Sequence, residues 1–396
     1  MTADTRSKRV ALVPNRFGPN VAGGAEAALA EMGRGLTQRG WEVDVITSAA
    51  RDHFTWRNEF PTGETVEQGM RIQRYATVVE PQHSRPHDIG RWIVLGLPTS
   101  IEEQYRWING TVRVPGLFEY LVDHGDDYRA VILAPYMFWT TFAGAEAAPQ
   151  RAILMPCLHD EAAAYLDIYK PMFSAARGVF FLSEPERDLA ARLYDLPSRQ
   201  EVIGSGVDVP ERYDPEGFRA RHGLSGDFVL YAGRREWGKG FDELLKMLGF
   251  ANRLLPEPVR VATCGVGEIG SVPDNVDVVD LGWLSDEERT DAMAAATVYV
   301  QPSEMESFSR TIMEAWLAGT PVLANGRSAV LRWHCQRSEG GFTFKDQYEL
   351  TEALRLLLRD RELAAKLAAG GRRYVLENYR WDAVIDRVEA ALEAWC

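Results

Sequence analysis

Glu306 and Glu314 stand with seven residues between them in the segment Ser303-Glu304-Met305-Glu306-Ser307-Phe308-Ser309-Arg310-Thr311-Ile312-Met313-Glu314-Ala315. Two carboxylates at such a spacing can hold sugar hydroxyls if a phosphate site lies beside them. The local pattern predicts how they are carried. Val298–Gln301 is β-branched and aromatic, and reads as a short buried strand. Ser309 or Ser307 can cap the helix that follows, and Gly319 stops it ahead of Pro321. Glu306 then lies in the loop at the carboxyl end of a strand, and Glu314 lies on the helix, more than a turn further in. Open α/β sheets bind ligands at the carboxyl ends of their strands. A helix N-terminus there offers backbone N–H groups to an anion such as phosphate.

A second segment supplies positive charge. Gly233-Arg234-Arg235-Glu236-Trp237-Gly238-Lys239-Gly240 follows the strand-like run Phe228–Ala232. Glycines let the backbone approach a diphosphate, and arginine and lysine neutralise it. The spacing approaches a Walker A loop, but Gly240 stands where that loop needs Ser or Thr for Mg²⁺, so the P-loop is rejected. A solvated charged turn is the alternative. Gly265-Val266-Gly267-Glu268-Ile269-Gly270 has the glycines of a dinucleotide fingerprint without the helix that must begin there; Ser271–Asn275 is loop chemistry instead. A nicotinamide cofactor is therefore not expected.

Two further segments fall in the first half. Gly23 and Gly24 precede a helical run to about Arg39; a double glycine there can bring backbone to a phosphate or sugar, and a simple cap explains only one of the two. Pro156-Cys157-Leu158-His159-Asp160-Glu161 ends another strand. His159 can donate a hydrogen bond to a ligand hydroxyl or phosphate, or serve structure alone. Asp160 and Glu161 are alternative polar contacts, or the N-terminal acids of the next helix.

With these residues in place, the chain resembles the retaining nucleotide-sugar glycosyltransferases of the GT-B fold, in particular the family-4 type. The resemblance rests on Glu-x7-Glu with Phe308, Glu314-Ala315 and Gly319-Thr320-Pro321-Val322 in register, on Gly-Arg-x4-Lys-Gly at 233–240, and on the glycine pair with Gly40-Trp41-Glu42-Val43. The usual Glu-Gly-Phe-Gly is here Glu306-Ser307-Phe308-Ser309; backbone donation survives that change only if neither serine position needs a positive φ. The resemblance implies that Arg234 and Lys239 bind the donor diphosphate and stabilise the leaving group. Glu306 would hold sugar hydroxyls beside the anomeric carbon, and Glu314 the ribose hydroxyls. His159 would contact the donor, and Gly23, Gly24, Gly233, Gly265, Ser307, Phe308 and Ser309 would line it. Retention would proceed by same-face attack, with the departing phosphate helping to take the acceptor proton. The implied donor is a UDP- or GDP-sugar, with no tightly bound cofactor. The acceptor is a hydroxyl on a glycan, lipid or natural product. No Asp-x-Asp occurs, so metal is expected not to be essential.

The elements that must position these residues alternate between strand-like and amphipathic helical runs, which predicts an α/β architecture with parallel sheets. Buried strands are expected at Val10–Val13, Val43–Thr47, Ala130–Ala134, Ala152–Met155 and Gly178–Leu182. In the second half they are expected at Phe228–Ala232, Val259–Thr263, Val276–Leu281, Val298–Gln301 and Val322–Ala324. Capping boxes open helices at Ser183–Glu186 and Ser285–Glu288. The pattern breaks between Gly204 and Gly226. The expected plan is two doubly wound Rossmann-like domains. An acceptor-side domain covers 1–204, a linker 205–226 and a donor-binding domain 227–378. In the resembled fold these face a central cleft, and a C-terminal helix at 379–396 crosses back to the first domain. The loop-rich, aromatic region 51–129, with His53, His83, His87, Trp92 and Trp107, is a candidate for acceptor recognition or surface structure packing its own rings.

Composition sets bounds. The 396 residues are 46% hydrophobic, enough for real cores, and carry a net charge of −13, which argues against nucleic acid and does not favour anionic membranes. The four cysteines form no Cys-x-x-Cys, so reduced cytoplasmic thiols are expected. The N-terminal residues lack a signal peptide's apolar region, and no apolar run is long enough to span a bilayer. Oligomeric state is left open. Two rival functions also stay open: a non-catalytic sugar-nucleotide-binding protein of the same fold, and a glycoside hydrolase using Glu306 and Glu314. The hydrolase leaves Arg234 and Lys239 unexplained.

Overall fold

The computed structural model describes residues 8–21, 23–79 and 85–396. His83, which figures in the sequence reading, lies outside the described residues, as does the N-terminal segment 1–7. The chain forms two compact units: one of Met1–Gly206 with Trp381–Cys396, the other of Val207–Arg380.

The first unit is built on an eight-stranded sheet among the described residues. From one edge to the other the strands are Gln200–Val202, Gly178–Phe181, Ala152–Leu154, Ala130–Ala134, Arg9–Pro14, Glu42–Ser48, Met70–Tyr75 and Gly63–Glu67. All neighbours are parallel except the last pair, an antiparallel hairpin. The central strands are apolar on both faces because helices cover both. Val10–Val13, Val131–Leu133 and Ile153–Leu154 are fully buried. Region 51–129, left without assigned elements by the sequence, contains that hairpin and three helices: Arg85–Val94, Ile101–Asn109 and Pro115–His124. On strand Met70–Tyr75 only Met70, Ile72 and Arg74 face inward, so the alternation is interrupted by a buried arginine.

The last helix, Trp381–Trp395, belongs to the first unit. Glu389 on it accepts from Trp41 Nε1 at 2.9 Å and Lys8 Nζ at 3.1 Å. Trp395 packs on Phe180 with ring centroids 5.2 Å apart, over Gly178, where a Cβ would lie 2.7 Å from the indole.

The second unit holds a six-stranded, wholly parallel sheet. Its order is Val278–Gly282, Arg260–Cys264, Phe228–Ala232, Val298–Gln301, Val322–Asn325 and Gly341–Phe344. Helix Pro215–His222 lies in the stretch expected to be linker. Asp214 accepts from Gly217 N at its start, and Gly223 ends it with φ +62°. Among the described residues, no helix is long and apolar enough to cross a membrane.

Candidate functional site

Strands Phe228–Ala232 and Val298–Gln301 are neighbours in parallel, so the loops at their carboxyl ends meet. Lys239, in a 3₁₀ turn at Trp237–Lys239, reaches Glu306 across that junction, with Nζ 2.9 Å from Oε1. The side chains of Lys239 and Glu306 are 27% and 10% exposed, so the pair is largely buried and retains access to solvent. The two loops also touch through backbone: a Cβ on Gly240 would lie 2.8 Å from the Pro302 carbonyl oxygen. Asn325, at the end of the next strand, donates to that same carbonyl at 2.8 Å.

Gly233 and Gly265 follow adjacent strands and are packed on each other. Gly233 N donates to Cys264 O at 3.0 Å, and Gly265 has φ +131°. A Cβ on Gly265 would stand 2.1 Å from the Gly233 carbonyl oxygen. Gly265→Ala therefore meets both a backbone clash and an unfavourable φ. It is expected to cost about 3 kcal/mol, read as a lowered unfolding midpoint in urea. Arg234 has its guanidinium 3.2 Å from Glu236, and Tyr231 Oη braces the turn by donating to Arg234 O at 2.6 Å. Arg235 is engaged within the structure: it donates to Gly267 O at 2.7 Å, pairs with Asp280, and its side chain is only 4% exposed. Of the two adjacent arginines, one is built into structure.

The segment after Glu306 departs from the capping expected of it. Ser309 occupies the position before helix Arg310–Leu317, but its side chain makes no cap. Its hydroxyl accepts instead from Gln301 Nε2 at 3.1 Å, and Gln301 also reaches Thr311 Oγ1 at 3.1 Å. Ser309 has φ 72°, so this is a position where glycine is at home and serine is held under about 1–2 kcal/mol of strain. Ser307 has no positive φ. Phe308 is 2% exposed and its ring packs edge-on against His334 at 5.1 Å and Tyr379 at 4.9 Å. The ring anchors the loop; only its backbone can face a ligand.

The helix starts of this unit differ in how they are capped. Helices beginning at Pro215, Asp286, Ala329, Gln347 and Arg361 are all capped by a side chain, from Asp214, Ser285, Ser328, Asp346 and Asp360. The two without a side-chain cap start after Gly240 and Ser309, beside Lys239 and Glu306. Their first N–H groups are left for another acceptor.

Glu314 is 12% exposed on its helix, and Arg289 from helix Asp286–Ala295 contacts both of its oxygens at 3.3 Å. The sequence reading missed Arg289. Its signal is faint: an arginine in the second turn after the Ser285 capping box, with nothing to name which carboxylate it meets.

In the first unit, Gly23 precedes helix Gly24–Gln38 with φ 167°, an extended backbone open to any residue. What requires glycine there is Glu26, whose carboxyl would lie 1.9 Å from a Cβ. Glu26 is fixed by an ion pair with the buried Arg16. Gly24 would meet nothing within 4 Å, so local packing explains one glycine of the pair. His159 follows strand Ala152–Leu154 at its carboxyl end. It is 31% exposed, with Nδ1 3.7 Å from Glu161, which accepts from the Tyr136 hydroxyl at 3.0 Å. The backbone N–H preceding it, of Leu158, is held at 2.6 Å by the buried Glu186. The capping box expected at Ser183–Glu186 is thus only half formed. Ser183 accepts from Glu186 N, but the Glu186 carboxyl goes to Leu158 and Leu182.

Comparison with known proteins agrees with this geometry. Residues 218–374 match the family model of glycosyl transferases group 1. A D-inositol 3-phosphate glycosyltransferase of Frankia alni is 28% identical over 385 residues, covering 89% of this chain and 90% of that one. Sucrose-phosphate synthase from Thermosynechococcus elongatus superposes with a TM-score of 0.74 at 19% identity, over 98% of each chain. HepE of Anabaena, in complex with UDP and glucose, gives a TM-score of 0.70 at 15% identity, over 98% of this chain and 99% of that one. The chain has the two-unit GT-B fold of glycosyltransferases and resembles them in sequence, with the group 1 domain at residues 218–374.

Proposed function

We propose that this protein is a retaining glycosyltransferase of the family-4 type. It moves a sugar from a nucleotide-diphosphate sugar, a UDP-sugar first among them, to a hydroxyl acceptor, and needs no metal. The observation that carries this reading is the pair of uncapped helix starts after Gly240 and Ser309, flanking the Lys239–Glu306 pair. A diphosphate needs N–H donors and cations together, and the loops around Lys239 and Glu306 offer both.

In this reading Lys239 and Arg234 bind the diphosphate and carry its growing charge as the glycosidic bond breaks. Backbone N–H groups at Ser307–Ser309 and the helix behind them share that load, because Ser309 itself keeps the positive φ a glycine would take, with Gln301 holding its hydroxyl. Glu306 holds sugar hydroxyls beside the anomeric carbon as it gains oxocarbenium character. Glu314, oriented by Arg289, takes the ribose hydroxyls. Gly233 and Gly265 keep the nucleotide-side loops close, while Gly23, Gly24 and His159 serve the donor from the first unit. The acceptor hydroxyl attacks from the face the diphosphate leaves, and its proton passes to the departing phosphate. HepE of Anabaena has been solved with UDP and glucose, which supports testing uridine first. Each glutamate is engaged by a cation, which suits hydroxyl binding better than an acid/nucleophile pair of a hydrolase.

Thermal unfolding against UDP, GDP, ADP, dTDP, CDP and NAD tests the donor site. A ligand at about 100 times its Kd adds about 2.7 kcal/mol to native stability, or about 5–11 °C in the midpoint of a unit of about 150–250 residues. One nucleoside diphosphate is expected to shift the midpoint, with NAD inert and EDTA without effect on the shift. No shift with any diphosphate at millimolar concentration overturns the site. Nucleotide release that rises with added acceptor separates transfer from mere binding.

A further inference from the structure

Glu186 is 1% exposed, and its carboxyl pairs with no arginine, lysine or histidine among the described residues. Burying a carboxyl without a cation costs several kcal/mol, and a helix start capped by Ser183 does not require it. Its oxygens are used elsewhere. Oε1 accepts from Leu158 N at 2.6 Å, and Oε2 accepts from Leu182 N at 2.5 Å. Leu158 follows strand Ala152–Leu154, and Leu182 follows strand Gly178–Phe181; the two strands are parallel neighbours. One side chain therefore ties together two strand ends at the carboxyl edge of the sheet. The loop it holds is under tension. Cys157 has φ 52°, in the left-handed region that a side chain disfavours. The peptide of Leu158, next to it, leads directly into His159.

We propose that Glu186 is a positioning residue: its carboxyl clasps the ends of the two strands and thereby fixes the loop 155–160 that presents His159. The proposal rests on the reading that His159 contacts the donor. A glutamine fits the same space but puts an N–H₂ where one backbone N–H needs an acceptor, so Glu186→Gln opens one side of the clasp. Glu186→Asp is too short to bridge both strands and serves as a second variant if the first folds poorly.

The test compares wild type, Glu186→Gln, His159→Ala and the double variant. Amide exchange is followed by peptide, and UDP-glucose binding by calorimetry. The clasp predicts about tenfold faster exchange at residues 155–161 in Glu186→Gln, with strand Phe228–Ala232 unchanged. It also predicts UDP-glucose binding about tenfold weaker, and no further loss when Glu186→Gln is added to His159→Ala. Unchanged exchange at 155–161 overturns the clasp. Faster exchange with undiminished UDP-glucose binding, or losses that multiply in the double variant, leaves a structural tie and overturns the positioning role. His159→Ala that binds as wild type removes His159 from the donor site, and the positioning role falls with that reading. Wild-type protein that does not bind UDP-glucose overturns the UDP-sugar reading, while the exchange arm still decides the clasp.

Discussion

Glu306→Gln is expected to lower sugar transfer by about 10²–10³-fold while leaving the affinity for the free nucleoside diphosphate equal or higher. The two halves of that result have one cause. The Lys239 ammonium is already engaged by the Glu306 carboxylate, 2.9 Å away. A diphosphate must share or displace that partner. Removing the negative charge frees the lysine for phosphate oxygens and removes a like charge from their neighbourhood. The sugar loses in the same step: the amide still hydrogen-bonds hydroxyls but no longer faces a developing oxocarbenium ion with a negative charge. Lys239→Ala should instead weaken both binding and transfer, since the cation serves ground state and leaving group alike. Steady-state transfer rates and calorimetry with the diphosphate decide the matter. A Glu306→Gln variant that transfers as fast as wild type would falsify the assigned role of Glu306.

How far the site could be read in advance depended on which interactions are local. Glu306, Glu314 and Lys239 were legible in position because strand–loop–helix spacing alone puts Glu306 and Lys239 in loops at the carboxyl ends of strands and Glu314 on the helix that follows, and Val298–Gln301 is strand as expected. Their partners were not. Arg289 meets Glu314 across helices that sequence does not show to be adjacent. Glu186 had every mark of a capping box, and local rules sent its carboxyl back to the helix start. A strand end 28 residues away in sequence claimed it instead. The serine for glycine at 309 was rightly flagged as a question of φ. The answer, 72°, depends on Gln301 holding the hydroxyl, a contact invisible in composition. Strands Gly63–Glu67, Met70–Tyr75, Gln200–Val202 and Gly341–Phe344 went unpredicted for a common reason. They lie at or next to sheet edges and lack a fully apolar run. Helix Pro215–His222 carried its own signals, Asp214-Pro215 before it and Gly223 after. Those same residues also spell turn, and only Phe218 among its side chains is buried.

Two buried ionisable groups give the pH dependence of stability a defined shape, with shifts of similar size acting on the acid and the alkaline side. His334 is 0% exposed beneath the Glu306–Ser309 loop, among Phe308, Trp333, Tyr374 and Tyr379, with its Nδ1 3.0 Å from the Tyr374 hydroxyl. Burial pushes it from 6.5 down to about 3, with Arg337 adding to the effect and the Phe308 backbone opposing it. The folded state binds the proton less well than the unfolded chain, so the stability from neutral His334 is complete above pH 6.5. It is lost as pH falls toward about 3. At about 1.36 kcal/mol per pH unit the loss reaches about 5 kcal/mol, a large share of the stability of an ordinary domain. Glu186 works in the opposite sense: burial pushes it from 4.5 up to about 8, against the backbone N–H groups of Leu182 and Leu158. The stability from its neutral form is complete below pH 4.5 and is lost as pH rises to about 8. Between pH 4.5 and 6.5 the two slopes offset each other; below that window His334 dominates, and above it Glu186 does. Urea unfolding of the wild type across pH 3 to 9 should therefore show its greatest stability in that window. For His334→Gln, the gap from wild type should narrow steadily as pH falls below 6.5, because the variant has no imidazole to charge. A gap that stays constant over that range would mean that His334 is protonated in the folded state as readily as in the unfolded chain. The loop carrying Glu306 would then rest on a charged side chain.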